Sequence, residues 1–432
     1  MKIAVVGSGG REHTIIRKLK ENPTITKIYA IPGNGGISFD AECVPIKATD
    51  IEKVAEFAEK EKLDFVVVAP DPPLVLGLVD LLEEKGIPSF GPRENAAIIE
   101  GSKVFSKELM KKYNIPTAFY EVFDDAEKAK QYLASNKTWP IVLKADGLAL
   151  GKGVLICETL QDALDGVTHI MEDKAFGESG NRIVVEEFLT GPEVSVLAFT
   201  DGKTLVPMAS SMDHKRALDG DKGLNTGGMG TVAPNPYYTA EIAEICMDTI
   251  FMPTIKAMNS ENRPFKGCLY FGLMLTPKGT KVIEYNCRFG DPETQVVLPL
   301  LKTDLLTIMQ AIYTETLSEL PVVFDENASA ACVIVASGGY PETYDTGFKI
   351  NGLKNGTVGI DDVEIYHAGT SINENSELFT AGGRVLGITA TAKTLQSALQ
   401  KAYAATECIS FDKMHFRKDI GAQALQALQI DE

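Results

Sequence analysis

Four short apolar runs, at residues 3–6, 27–31, 65–69 and 87–90, alternate with helix-spaced apolar positions near 12–20, 51–61 and 74–85. That order predicts a doubly wound parallel sheet. Ligands of such sheets sit beyond the C-terminal strand ends, where Gly7-Ser8-Gly9-Gly10-Arg11-Glu12, Pro32-Gly33-Asn34-Gly35-Gly36 and Pro70-Asp71-Pro72-Pro73 all fall. Farther along, residues 140–144 and 154–157 read as strands around a glycine-rich loop. Residues 160–171 read as a helix and 182–189 as a strand ending in acids; Asp213-His214-Lys215-Arg216 and the later Asn225-Thr226-Gly227-Gly228-Met229-Gly230 read as one long polar loop. Strands at 330–336, 363–368 and 385–392 and a helix at 395–406 predict a small C-terminal α+β domain.

One strand pattern carries candidate chemistry. In the run through residue 288, Val282, Ile283, Tyr285 and Cys287 suggest a buried strand, while Glu284, Asn286 and Arg288 share its polar face. A carboxylate and an amide oxygen two residues apart suit a hard divalent cation, which takes oxygen ligands and keeps substrate phosphates in its shell. A half-exposed edge strand is the competing explanation.

The other motifs point towards phosphate. The first glycine turn departs from a dinucleotide fingerprint, since Glu12 stands where the last glycine belongs and the second strand lacks a terminal acid. Its amides suit a single phosphate, or simply a tight turn. Lys103 follows a plausible cap, Ser102, in the first turn of a helix, where a lysine opposes the dipole unless an anion is near, although a solvated surface lysine is the commoner explanation. Lys144 ends a strand and faces a glycine loop carrying Lys152, a layout suited to a flap over phosphates. The loop is not a Walker A motif: three residues separate Gly147 from Gly151, and Gly153 replaces Ser or Thr. Glu186, Glu187, Leu189 and Glu193 mark a strand end that suits an adenine slot, although solvated acids fit as well. His214 has no His or Cys neighbours in sequence and reads as a solvent histidine rather than a metal ligand.

Length and charge then narrow the class. The 432 residues suggest about three domains. The net charge of −17 argues against non-specific nucleic-acid binding and against an anionic membrane surface. Seven cysteines without a C-x-x-C pair suit a reducing compartment. The N-terminus enters a strand directly, with no signal-peptide core, so a cytoplasmic protein is expected.

Taken in order, Lys103, Lys144, the flap at 147–153, the 186–189 strand end and the Glu284/Asn286 strand resemble the ATP-grasp fold, in which two α+β lobes clamp ATP. Gly9-Gly10-Arg11-Glu12-His13, Lys144-Ala145-Asp146-Gly147-Leu148, the two polar-loop motifs and Arg288-Phe289-Gly290-Asp291-Pro292-Glu293-Thr294-Gln295 resemble, more narrowly, the phosphoribosylamine–glycine ligase family, over nearly the whole chain. The resemblance implies an α/β and α+β multidomain protein: a doubly wound domain at 1–102, an ATP-grasp domain at 103–325 with a lid at about 116–189, and a C-terminal domain at 326–432. It implies that ATP, glycine and phosphoribosylamine are converted through a glycyl phosphate, with Mg2+ or Mn2+ on Glu284 and Asn286. Lys144, Lys152 and Arg288 are then the catalytic cations. Lys103, Lys144, Lys152, Glu186, Glu187, Leu189 and Glu193 are expected at ATP. Asp213, Lys215, Asn225 and Arg288 are expected at glycine and the ribose, and Gly9, Gly10, Asn34 and Gly35 at the 5′-phosphate. Two departures stand out: Asp71 where the family more usually has Glu, and no carboxylate in 268–275 to reinforce the metal pair. The C-terminal turns, including Gly382-Gly383-Arg384, are expected to give structural support. A biotin-dependent carboxylase subunit, a nicotinamide dehydrogenase and a non-catalytic ATP sensor are the alternatives.

Overall fold

The computed structural model describes residues 1–148 and 153–430. The N-terminal part runs β1 (Lys2–Gly7), α1 (Gly10–Leu19), β2 (Lys27–Pro32), β3 (Glu42–Cys43), α2 (Ile51–Glu61), β4 (Phe65–Val68), α3 (Asp71–Val75), α4 (Leu78–Glu84) and β5 (Ser89–Phe90). Its five strands form a parallel sheet in the order β3-β2-β1-β4-β5, as the alternating pattern predicts. The single helix expected at 74–85 is instead two. Gly77 takes a left-handed φ of 86°, a conformation open to glycine, and that turn separates α3 from α4. Helices α5 (Glu94–Gly101) and α6 (Lys103–Lys112) lead into the next lobe, with Ser102 capping α6 through the Phe105 amide.

That lobe contains β6 (Tyr120–Phe123), α7 (Ala126–Ser135), β7 (Ile141–Ala145), β8 (Val154–Cys157), α8 (Leu160–Val167) and β9 (Ile183–Glu187). Its antiparallel sheet, ordered β6-β9-β7-β8, buries its own core of Leu133, Ile141, Leu143, Val167, Ile170, Ile183 and Val185. Lys152 and most of the glycine loop lie outside the described residues.

The central strands are β10 (Glu193–Thr200), β11 (Leu205–Pro207), β12 (Met212–Asp213), β13 (Arg216–Leu218), β14 (Lys222–Asn225) and β15 (Gly230–Ala233). After α9 (Ala240–Cys246) and α10 (Met252–Ser260) come β16 (Gly267–Thr276), β17 (Gly279–Asn286), α11 (Thr294–Val297) and α12 (Leu305–Tyr313). The chain ends with β18 (Ser329–Ser337), β19 (Val363–His367), β20 (Thr370–Ile372), β21 (Leu378–Thr380), β22 (Arg384–Ala392), α13 (Leu395–Thr406), β23 (Met414–His415) and α14 (Ala422–Ile430).

One central sheet runs β11-β10-β16-β17. Another runs β12-β15-β18-β22-β19, so strands from 212–233 share a sheet with strands beyond 326. The expected long polar loop is therefore largely strand, including a β13–β14 hairpin that pairs Arg216 with Asn225. Periodicity within 213–230 is too short to reveal this, because its partner strand lies a hundred residues away. Among the described residues, no helix is long and apolar enough to cross a membrane.

Candidate active site

The metal-strand candidate is β17, and its alternation is interrupted. Gly272 pairs with Glu284 but Leu273 with Val282, which leaves Ile283 as the extra residue of a bulge. Val282, Tyr285 and Cys287 are buried as expected, whereas Ile283 is only half-buried. The bulge also turns the Ile283 carbonyl towards Lys144, whose Nζ donates to it at 3.0 Å. Glu284 and Asn286 remain side by side. Burial would raise the Glu284 carboxyl, yet Lys215, Lys144, Lys103 and Arg288 together hold it below its ordinary value. The Asn286 amide nitrogen lies 3.0 Å from Glu100 Oε1 and 3.2 Å from the Tyr285 carbonyl, which directs its oxygen the other way. Two oxygen donors, one of them kept ionised, fit a hard cation that completes its shell with water and phosphate. Among the described residues, no group of three or more His, Cys, Asp or Glu forms a metal cage.

Arg288, beyond the strand, is held by residues from the N-terminal part. Its Nη2 donates to Glu100 Oε1 at 2.8 Å, and its Nε lies 3.7 Å from Asp71 Oδ1. Glu100 also accepts from the Cys287 amide at 2.7 Å. The next residue, Phe289, is 1% exposed and packs 5.9 Å from the rings of both Phe90 and Phe199. An aromatic plug thus fixes the turn that presents Arg288.

The lysines converge on the same strand from two sides. Lys103 Nζ donates to the Gly147 carbonyl at 2.8 Å. Asp146, one residue earlier, accepts from Ser102 Oγ at 2.8 Å and the Val104 amide at 3.1 Å, so the base of the glycine loop is tied to the start of α6. Glu186 is 4% exposed and turns inward; Lys107 and Lys144 each place Nζ 3.1 Å from its Oε2. Its side chain is therefore not open to a ribose. Glu187 accepts from the Phe119 amide at 2.9 Å and from Lys281 at 2.5 Å, while Leu189 lies half-buried just past β9. Glu193 is exposed and lies 3.5 Å from Lys215 Nζ, which is also 3.7 Å from Glu284 Oε1.

Around Lys215 lie the half-buried Asp213 and the buried Glu293, whose carboxyls are each raised first by desolvation, with Glu293 adding to the rise of Asp213. Gly228, at φ +112°, lets its loop approach Asp213 and Pro292: a Cβ there would stand 2.5 Å from Asp213 Oδ1 and from Pro292. Asn225 is exposed at the end of β14. His214 is not a solvent histidine. It is 5% exposed, with Nδ1 3.1 Å from the Gly230 carbonyl and Nε2 accepting from the Gly421 amide at 3.0 Å.

The residues expected at the 5′-phosphate lie where the N-terminal loops meet the C-terminal domain. The Gly9 amide already donates to Glu12 Oε2 at 2.5 Å, and the Arg11 amide lies 3.3 Å from Asp291 Oδ2. Gly10 packs against Gln295. The Asn34 amide donates to the Ser8 and His367 carbonyls, and its oxygen accepts from Gly36 and Ile37. Gly35 donates to the Thr370 carbonyl at 2.9 Å. All four have internal contacts, and Asn34 is occupied on both ends.

Sequence reasoning assigned no role to Glu100 or Lys107 and gave Arg384 only a structural one, in its turn. Arg384, from the C-terminal domain, donates to the carbonyls of Gly227 at 2.7 Å and Asp291 at 2.8 Å, joining two site loops. Only the one-turn spacing of Lys107 from Lys103 gave a hint.

Three family models match the chain: the N domain of phosphoribosylglycinamide synthetase over residues 1–100, its ATP-grasp (A) domain over 101–294 and its C domain over 330–423. The chain is 45% identical to phosphoribosylamine–glycine ligase of Clostridium acetobutylicum over 423 residues, spanning 98% of this chain and 99% of that protein. It is 46% identical to the Caldanaerobacter subterraneus protein of the same name, spanning 98% and 100%. The crystal structure of the Thermotoga maritima ligase superposes with a TM-score of 0.83 at 32% identity, covering 97% and 100% of the two chains. A biotin carboxylase from Campylobacter jejuni shares the fold, at a TM-score of 0.74 and 14% identity over 96% and 92%.

Proposed function

This chain belongs to the phosphoribosylglycinamide synthetase family, and from that premise we propose that it joins glycine to phosphoribosylamine at the expense of ATP, giving glycinamide ribonucleotide, ADP and phosphate. The observation that carries this reading is the meeting of Lys103, Lys144, Lys215 and Arg288 around an ionised Glu284. In an acidic chain, that local convergence of cations suits a polyphosphate.

A carboxylate resists attack by an amine. The glycine carboxylate oxygen therefore first takes the γ-phosphoryl group of ATP, releasing ADP. The amine nitrogen of phosphoribosylamine then attacks the acyl carbon, the bond to phosphate breaks, and the nitrogen loses a proton. Phosphoryl transfer depends on positioning and on neutralising charge. Lys144, Arg288 and Lys152 would surround the phosphates, with Lys103 beside them. Glu100 and Asp71 keep Arg288 charged and oriented. Glu284 and Asn286 would hold Mg2+ or Mn2+, which supplies further neutralisation of the phosphates when bound. With only two protein ligands, the cation would arrive chiefly with the nucleotide.

The backbone around Glu187 and Leu189 would receive the adenine, and exposed Glu193 the ribose. Glycine and the substrate ribose would meet Asp213, Lys215 and Asn225, and the 5′-phosphate the Gly9-Gly10 and Asn34-Gly35 junction. That last placement requires the internal bonds of Gly9 and Asn34 to open. The lobe at about 116–189 would close over the site and keep water from the acyl phosphate. The acidic surface suits a cytoplasmic enzyme of small molecules rather than a nucleic-acid or membrane binder.

Phosphate release from ATP tests the reading. Release that needs glycine and phosphoribosylamine together is the expected result; equal release without either one refutes it.

A further inference from the structure

Glu186 serves two ammonium groups. Lys107 and Lys144 share its Oε2, and the three side chains are 3%, 5% and 4% exposed respectively. Its Oε1 is buried with no hydrogen-bond partner among the described residues. One carboxylate balances one charge, so Glu186 alone does not neutralise both ammonium groups, and the second leans on the more distant Glu284. Unbalanced buried charge is costly, and an arriving anion relieves the cost.

The two lysines differ in what else they touch. Lys107 is anchored away from the metal strand's polar face: its Nζ donates to Thr117 Oγ1 at 2.7 Å, and that hydroxyl donates to the Val282 carbonyl at 2.8 Å. Lys144 instead spans the gap between Glu186 and the bulged carbonyl of Ile283, next to Glu284. Of the two, Lys144 is the one placed to leave the carboxylate for a ligand on β17.

We propose that Lys107 is a positioning residue for the nucleotide: it keeps Glu186 neutralised while Lys144 releases that carboxylate and turns its ammonium to the polyphosphate. The inference rests on the ATP reading above. Without Lys107, Glu186 has Lys144 as its only counter-ion among the described residues, and incoming phosphates must compete with a buried carboxylate for it.

The surroundings of Lys107 supply a readout that a purely structural role would not move. Burial depresses its ammonium to about 8, with Glu186 and Glu187 on β9 raising it and Lys144 on β7 lowering it further. The Tyr120 ring of β6 lies 5.8 Å from Nζ. Lys103, on the same helix, is also depressed by burial, with Glu284, Glu100 and Asp146 opposing and Lys144 reinforcing the shift. Arginine at position 107 stays charged throughout, while Lys103 is common to both proteins.

The experiment measures binding of ATP, ADP and adenosine to wild type, K107M and K107R by calorimetry at pH 7 and pH 9. K107M should bind ATP and ADP on the order of tenfold more weakly, with adenosine little changed and KM for ATP raised more than kcat is lowered. K107R should match wild type at pH 7, and wild type should lose more ATP affinity than K107R between the two pH values. Equal ATP affinity in wild type and folded K107M overturns the proposal, as do parallel pH profiles for wild type and K107R. If K107M fails to fold, the pH comparison decides alone. Wild type that binds ATP but releases no phosphate with both substrates defeats the ligase reading and leaves this one standing.

Discussion

Glu284 is a carboxylate that burial would protonate and four neighbouring cations keep ionised. An ionised oxygen is what a divalent cation requires, so these four cations also serve the proposed metal site. Glu284→Ala should lower metal-dependent phosphate release by on the order of a hundredfold or more while the protein stays folded. Wild-type turnover in that variant, with an unchanged melting curve, would remove the metal role. Arg288 illustrates the limit of a sequence reading at this scale. Its place on the polar face is visible in the i, i+2 spacing, but its partners Glu100 and Asp71 lie 188 and 217 residues earlier, and no local pattern joins them.

At the scale of elements, the approach of the 225–230 loop to the 288–293 turn depends on Gly228. A Cβ there meets Asp213 and Pro292 at 2.5 Å, on a backbone with φ +112°. Gly228→Ala should destabilise the protein by roughly 1–3 kcal/mol and raise KM for glycine more than KM for ATP. Equal increases in both would show that the loop does not serve one substrate. Elements whose signal is local were legible in the chain: α2 spans Ile51–Glu61, the residues its apolar spacing marks, and Ser102 caps α6. Elements that depend on distant partners were not. The bulge at Ile283 arises from the register with β16, and β15 lies between β12 and the distant β18. The inward turn of Glu186 follows from two lysines on other elements, where the sequence shows only a strand ending in acids.

Across the whole molecule, three buried histidines stand near the joints with the C-terminal domain. His13 Nδ1 accepts from the His367 amide at 2.8 Å, and His214 accepts from Gly421. Burial lowers all three, His367 to about 3. An unfolded histidine takes up a proton near pH 6.5 while the folded one does not, so each contributes fully above 6.5 and loses stabilisation as pH falls below it. Glu100, Asp213, Glu293 and Glu364 are raised by burial and act in the opposite sense. The histidine part is therefore read as a difference. The stability gap between wild type and His367→Gln should narrow by about 1.4 kcal/mol per pH unit from 6 to 4 in denaturant titrations. A gap that does not change with pH would remove His367 from the account. The sheet that carries β15 between β12 and β18 has a further consequence. Removal of the chain beyond residue 325 would not leave a finished catalytic body; it would expose the backbone of 230–233 as a raw edge, with unpaired amides and carbonyls along a buried strand. Such an edge recruits the same strand from other copies, so the C-terminal domain also guards the rest of the chain against self-association.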